Sequence, residues 1–102
     1  MTEYHKLVRD KIPQIIRAQG ETPVTRTLGD EEFHAALEQK LQEETAEYLE
    51  SRELSELADI LEVVYALCRA DGHTLDQLTA AYRAKNQARG GFDERIFLIS
   101  KE

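Results

Sequence analysis

The 102-residue sequence contains a single cysteine, Cys68, which excludes an internal disulfide and any zinc site built from several cysteines. No apolar run approaches the roughly 18 residues of a membrane-spanning helix, and the opening stretch is polar, so we expect neither an anchor nor a signal peptide. Basic residues are fewer than acidic ones, since the chain has 13 Lys and Arg and 20 Asp and Glu. This acidity argues against a nucleic-acid polymer or an anionic membrane as partner. We therefore expect one cytoplasmic domain covering residues 1–102.

The acidic residues are concentrated in the middle of the chain. Residues 30–62 carry a local net charge of −10, whereas residues 1–17 and 83–95 each carry +2. A block of charge is usually a solvated face of a helix. The functional question is therefore whether any of the central carboxylates point away from solvent.

Apolar periodicity predicts a mainly α protein with four helices. Pro13 fits only the first turn of the first helix, which Asp10 would cap. Asp30 is the expected N-cap of the second helix, and Thr74 with Gln77 resembles a capping box before the fourth. The predicted helices cover residues 8–19, 30–51, 54–70 and 74–89.

Short connections make successive helices antiparallel neighbours, so the expected architecture is an antiparallel helical bundle. Residues 24–28 are β-prone and residues 95–100 have the pattern of a strand, so the two segments could pair as a short β element. The third helix is apolar on nearly all sides and needs more cover than three partner helices provide. We therefore expect at least a homodimer.

Two pairs of acids point toward apolar faces of the two central helices. Glu44 projects into the middle of an apolar arc, and Glu47 lies just off its edge one turn along. Glu56 projects between apolar residues of the next helix, with Asp59 about 60° away around the axis. Glu62 faces an arc that solvent could reach. Charged groups are almost never buried without a partner, so the two pairs need a counter-charge.

A divalent cation is the counter-charge that fits these carboxylates best. One like-charged pair at 4 Å costs on the order of 4 kcal/mol at an effective dielectric constant near 20. Lys40 is the only basic side chain on a neighbouring face. Mg²⁺ prefers oxygen ligands and often shares its site with substrate phosphates, and Mn²⁺ could substitute for it. The alternative is that the acids form a solvated surface.

Three segments of the sequence together resemble a known family. They are EExxE at 43–47 with ExxD at 56–59, YHKLVRDKIPQII at 4–16, and KxxxRGGF at 85–92. The first resembles the magnesium signature of the MazG-like, all-α nucleoside triphosphate pyrophosphohydrolases, which include dimeric dUTPases and phosphoribosyl-ATP pyrophosphohydrolases. The other two are similar to a phosphoribosyl-ATP pyrophosphohydrolase-like house-cleaning subgroup. The short gap between the two acidic motifs suggests a compact helical hairpin.

The resemblance implies a reaction and a set of site residues. Glu44, Glu47, Glu56 and Asp59 would bind the metal, and Glu43 would be an auxiliary acid, so that Glu43 and Glu44 are the predicted catalytic pair. The reaction implied is hydrolysis of a nucleoside triphosphate between its α and β phosphorus, giving the monophosphate and pyrophosphate, with non-standard nucleotides as a candidate target. The family usually forms homodimers or homotetramers.

Cationic side chains near both ends of the chain are candidates for binding the phosphates. Arg9, Lys85 and Arg89 are the first candidates, with Lys6 and Lys11 behind them. Lys85 and Arg89 lie one turn apart on the fourth predicted helix, so they could bind the same group. The alternative is a solvated helix end, where the helix dipole favours basic residues.

Two other functions are compatible with the sequence. One is a non-catalytic oligomeric interaction module that has the same helical bundle. The other is a pyrophosphohydrolase of the same catalytic class that acts on phosphoribosyl-ATP or a related metabolite. Release of pyrophosphate from a panel of nucleotides and metabolites separates the three.

Overall fold

The computed structural model describes residues 2–102, and this range contains four helices, so the prediction of a mainly α protein is confirmed. No helix in this range is long and apolar enough to cross a membrane. The second, third and fourth helices cover the predicted segments. The helices are α1 (Ile12–Ala18), α2 (Asp30–Ser51), α3 (Leu54–Ala70) and α4 (Leu75–Arg89).

The first helix is shorter than the predicted range 8–19. It begins at Ile12, its N-cap is Lys11, and no side chain caps it, so the prediction of Asp10 as the cap is wrong. Pro13 explains the late start, because a proline is tolerated only in the first turn. Gly20 follows the helix with a φ of +84°, a conformation that glycine adopts without strain.

Helices α2 and α3 form a hairpin with a two-residue connection. Arg52 adopts a left-handed conformation with φ 61°, and its backbone N–H donates to the Tyr48 carbonyl at 2.7 Å. The N-cap of α2 is Gly29 and no side chain caps it, so Asp30 is the first helical residue and not the predicted cap. Its carboxylate still lies in the first turn, where the helix dipole favours negative charge.

The capping box predicted for the fourth helix is present. The Gln77 backbone N–H donates to Thr74 Oγ1 at 3.1 Å, and the Thr74 backbone N–H donates to Gln77 Oε1 at 2.9 Å. This reciprocal pair satisfies two backbone donors at the start of α4. Helix α4 packs against α3 and makes no comparable packing with α2 or α1.

The predicted β element is wrong. Residues 24–28 and 95–100 have no regular secondary structure, and residues 2–102 contain no strand. An isolated two-stranded ribbon is only marginally stable, so β propensity alone does not bring two exposed segments together. Val24 and Phe97 are accordingly almost fully exposed.

The single chain buries little surface. Leu37 and Val63 are the buried apolar residues in the described range, and both lie in the α2–α3 hairpin. The accessible surface is 9532 Å², whereas a folded monomer of 11.7 kDa exposes about 5,900 Å². The radius of gyration is 18.0 Å, against about 13 Å for a compact domain of this length. The hairpin is therefore the packed part of the chain.

Candidate metal centre

Three carboxylates from the two hairpin helices converge on one point. Glu44 comes from α2, whereas Glu56 and Asp59 come from successive turns of α3. One oxygen of each lies within 4.8 Å of the corresponding oxygen of the others. Glu44 is buried, and the other two side chains are half-buried. The hairpin thus brings together three of the four carboxylates that sequence periodicity predicts as metal ligands.

The Glu44 carboxylate is incompletely paired within the protein. Its Oε1 lies 3.4 Å from the Lys40 Nζ, one turn earlier on α2. Its Oε2 is buried and has no hydrogen-bond partner. A buried acceptor without a partner is costly, so this oxygen is a candidate ligand atom for a cation.

The environment of Glu44 disfavours its charged form. Burial, with the negative charge of Glu47 on the next turn of α2, raises the pKa of the Glu44 carboxyl above its ordinary value. The Lys40 ammonium opposes this rise in pKa. A divalent cation would favour the ionised carboxylate, because ligand oxygens bind metals in their deprotonated form.

Asp59 is bound by a cation from the N-terminal segment. Arg9 Nη2 donates to Asp59 Oδ1 at 2.6 Å, although both side chains remain partly exposed. An ion pair of this exposure contributes about 0–1 kcal/mol to stability, so its main effect is to hold residues 7–11 beside the hairpin. The sequence indicates Arg9 as a phosphate ligand but not as the partner of Asp59, because fifty residues separate them and no periodicity relates them.

The charges around the site leave a negative excess. Four carboxylates, those of Glu44, Glu56, Asp59 and the nearby Glu47, face two cations, Lys40 and Arg9. Within residues 2–102, no cationic group lies within 4.0 Å of the Glu56 or Glu47 carboxylates. Oxygen ligands and a charge deficit of about two suit a hard divalent cation such as Mg²⁺. The donor set therefore fits the predicted cofactor.

A groove of about 440 Å³ is lined by Glu44 and Asp59, but not by Glu56. Residues 7–11 form one wall, and α2 and α3 form the floor and the other wall. Basic and acidic side chains line the groove in equal number: Arg9, Lys11, Lys40 and Arg69 are basic, and Asp10, Glu44, Asp59 and Glu62 are acidic. The groove therefore offers both a cation site and groups that bind an anion.

The remaining predicted acids lie at the edge of the site. Glu47 is exposed and stands outside the group of three converging carboxylates. Glu43 is half-buried with its Oε2 3.7 Å from Lys40 Nζ. Glu62 is half-buried, lines the groove and pairs with Arg69 at 3.7 Å. Its arc is therefore less solvated than the sequence pattern suggests.

Three of the predicted phosphate-binding cations lie elsewhere. Lys6 is exposed and sits 5.5 Å above the Tyr4 ring, outside the lining of the groove. Lys85 and Arg89 are exposed on α4 and do not line the groove of their own chain. Arg9 and Lys11 are the predicted cations that line it, and Lys40 joins them.

Comparison with known proteins yields one informative match. An uncharacterized protein of Mycolicibacterium smegmatis is 64% identical to the chain over 42 residues, which are 41% of this chain and 43% of that protein. The match thus spans less than half the length of the relative. No family profile matches the chain, and no solved structure matches it.

Proposed function

We propose that the protein is a Mg²⁺-dependent nucleoside triphosphate pyrophosphohydrolase, which cleaves its substrate between the α and β phosphorus. The observation that carries the proposal is the buried Glu44 carboxylate, with an unpartnered oxygen, beside Glu56 and Asp59. A solvated acidic surface does not bury a carboxylate oxygen that has no hydrogen-bond partner. The sequence resemblance supplies the reaction class.

The hairpin residues divide the chemistry between them. Glu44, Glu56 and Asp59 would hold the metal, with Glu47 as a fourth ligand on the exposed side. A bound Mg²⁺ would neutralise the polyphosphate and lower the pKa of a bound water. Glu43, which the resemblance implies as an auxiliary acid, would orient the attacking water. In the reaction the water oxygen bonds to the α phosphorus while Glu43 accepts a proton from that water. The bond from the α phosphorus to the bridging oxygen breaks, and pyrophosphate leaves with the electron pair.

The cations of the groove would take up the charge of the departing pyrophosphate. Arg9 and Lys11 approach from the N-terminal segment, and Lys40 approaches from α2. Cationic donors that are already in position stabilise charge as it develops, without a cost of reorganisation during the reaction. Arg9 would have to exchange its contact with Asp59 for the phosphate once a divalent cation neutralises that carboxylate.

The test is release of pyrophosphate from a nucleotide panel, with and without Mg²⁺. We expect Mg²⁺-dependent release from at least one nucleoside triphosphate, and a loss of roughly 100-fold or more in Glu44→Gln. Independently of turnover, Mg²⁺ at 100 times its Kd should stabilise the wild type by about 2.7 kcal/mol. Glu44→Gln should lose most of this stabilisation.

Glu50→Gln is the matched control, because Glu50 is an exposed acid on the same helix. It should retain both pyrophosphate release and stabilisation by Mg²⁺. The proposal fails if no nucleotide releases pyrophosphate, or if the Glu44 and Glu50 variants behave alike. Phosphoribosyl-ATP belongs in the panel, because release from that compound alone would establish the alternative substrate.

Homo-oligomerisation into a dimer or tetramer belongs to the same proposal. The excess accessible surface and the exposed apolar residues at 92 and 96–99 support it, and the non-catalytic interaction module rests on the same features. The unpartnered Glu44 oxygen favours the enzyme over that module. A nucleotide substrate and the free thiol of Cys68 favour the cytoplasm as the place of action.

A further inference from the structure

The groove continues well beyond Glu44 and Asp59. Glu44 and Asp59 line one end of it, whereas Phe33 and Arg69 line the other. Because α2 and α3 are antiparallel in the hairpin, the steps from Glu44 to Phe33 and from Asp59 to Arg69 run in the same direction. They cover about 16 Å and about 15 Å along the helix axes at 1.5 Å per residue. A ligand bound at the carboxylates thus has room for a second group.

The chemistry of the lining changes along this direction. Near the carboxylates the lining is charged. Beyond them Leu37, Val63 and Ala66 line the groove, with Glu62 as the one carboxylate there, and the ring of Phe33 follows. Small-molecule sites are commonly grooves of about 300–1,000 Å³ with apolar walls and a few polar groups, which describes this one. The far end therefore suits a flat apolar group.

The far end also carries a hydrogen-bond donor. Arg69 and Phe33 line a second hollow of about 430 Å³ next to the first, together with Asp30. The Arg69 guanidinium lies 3.7 Å from Glu62, which restrains it beside the groove. A guanidinium has donors and no acceptor, so it selects a group whose edge carries carbonyl or ring-nitrogen acceptors.

We infer that this end of the groove is the subsite for the nucleotide base. Phe33 stacks on the base, Arg69 donates to acceptors on the base edge, and the polyphosphate extends toward Glu44 and Asp59. The inference rests on the proposed function, because that function puts the polyphosphate at the carboxylate end. Stacking on an aromatic ring tolerates different bases, whereas donation from Arg69 discriminates among them.

Equilibrium binding tests the subsite without turnover. The probes are the α,β-methylene analogues of ATP, GTP, CTP and UTP, with inorganic tripolyphosphate as the probe that lacks a base, all titrated calorimetrically with Mg²⁺ present. We expect at least one analogue to bind the wild type about tenfold more tightly than tripolyphosphate does. Phe33→Leu and Arg69→Gln should each abolish most of this preference while leaving tripolyphosphate binding unchanged.

Matched controls are Tyr82→Leu and Arg83→Gln, which remove an exposed aromatic ring and an exposed guanidinium from α4. Both should bind every probe as the wild type does. Arg69→Gln changes an exposed side chain, so it keeps the test valid if Phe33→Leu fails to fold. The subsite is refuted if both groove variants keep the wild-type preference, or if tripolyphosphate binds the wild type as tightly as every analogue. If the wild type still releases pyrophosphate from nucleotides, only the subsite has failed; if it releases none, the proposed function has failed.

Discussion

The α2–α3 hairpin and the C-terminal region, defined as α4 with residues 90–102, use apolar side chains in opposite ways. In the hairpin, Leu37 and Val63 are 3% and 6% exposed, and the Glu44 side chain is also buried. In the C-terminal region, Phe97 and Ile99 are 87% and 90% exposed. The hairpin therefore forms its groove within one chain, whereas only another surface can bury the apolar residues of the C-terminal region.

The two regions also separate the predicted charges. The predicted metal-binding carboxylates lie in the hairpin, and two of the predicted phosphate-binding cations, Lys85 and Arg89, lie on α4. In a single chain these cations are outside the groove. A second copy is therefore the simplest way for them to reach a groove, and the same contact would cover the apolar C-terminal residues.

Mixing two inactive variants gives the largest expected effect. Glu44→Gln removes a proposed metal ligand, and the double variant Lys85→Gln with Arg89→Gln removes the two proposed phosphate-binding cations of α4. If each groove combines acids from one copy with cations from the other, random dimers in an equal mixture regain about a quarter of wild-type activity. Steady-state pyrophosphate release measures the recovery. An active Lys85/Arg89 double variant would show instead that the groove works without α4.

The oligomer should depend on the C-terminal apolar residues. Phe97→Asp places a charge on a side chain that the proposed contact would bury, at a cost that such interfaces rarely tolerate. We expect the solution mass to fall from at least two chains to one, measured by sedimentation equilibrium. Val24→Asp is the matched control, because Val24 is 94% exposed but outside the C-terminal region. A wild-type protein that is already monomeric would contradict the proposal.

Local sequence signals predicted the extents of α2, α3 and α4, but they placed the start of α1 four residues early. The capping box of Thr74 and Gln77 determines where α4 begins. Gly90, whose φ is +79°, is the C-cap at which the helix ends. The β element failed because pairing requires a neighbouring strand, which β propensity in residues 24–28 cannot supply. Short-range information thus predicts elements better than it predicts their partners.

The site was predictable to the extent that it follows helix periodicity. The 3.6-residue repeat identifies Glu44, Glu56 and Asp59, because each points from one helix toward its neighbour. The contact of Arg9 with Asp59 depends on the path of the N-terminal segment across the hairpin, which no local repeat encodes. Phe33 follows the apolar pattern of a core residue, yet it lines the groove.

Truncating one leucine in each region should show which region stabilises the single chain. In the Phe97→Asp background, Leu37→Ala leaves a cavity beside α3 and should lower the free energy of unfolding by about 3 kcal/mol. Leu98→Ala removes an exposed side chain from the C-terminal region and should change the free energy of unfolding by less than about 0.5 kcal/mol. Urea denaturation followed by circular dichroism measures both. Equal losses would mean that the C-terminal region is packed in the single chain.

The smallest effect concerns an ion-pair cluster at the end of the hairpin away from its connection. His34 Nε2 lies 2.7 Å from Asp71 Oδ1, and its Nδ1 lies 3.2 Å from Glu38 Oε1. The hydrogen bond with Asp71 is the main reason that the pKa of His34 is raised above its ordinary value.

Because the folded state raises the pKa of His34, the protonated imidazole stabilises the fold. This contribution is complete below the unfolded-state pKa of about 6.5, and it disappears as the pH rises through the folded-state pKa. We therefore expect His34→Gln to lower the free energy of unfolding more at about pH 5.5 than at about pH 8.5. Urea denaturation at both pH values measures the difference. His73→Gln is the control, because His73 is an exposed imidazole outside the cluster. A loss in His34→Gln that is independent of pH would show that the His34 contacts contribute through packing and not through charge.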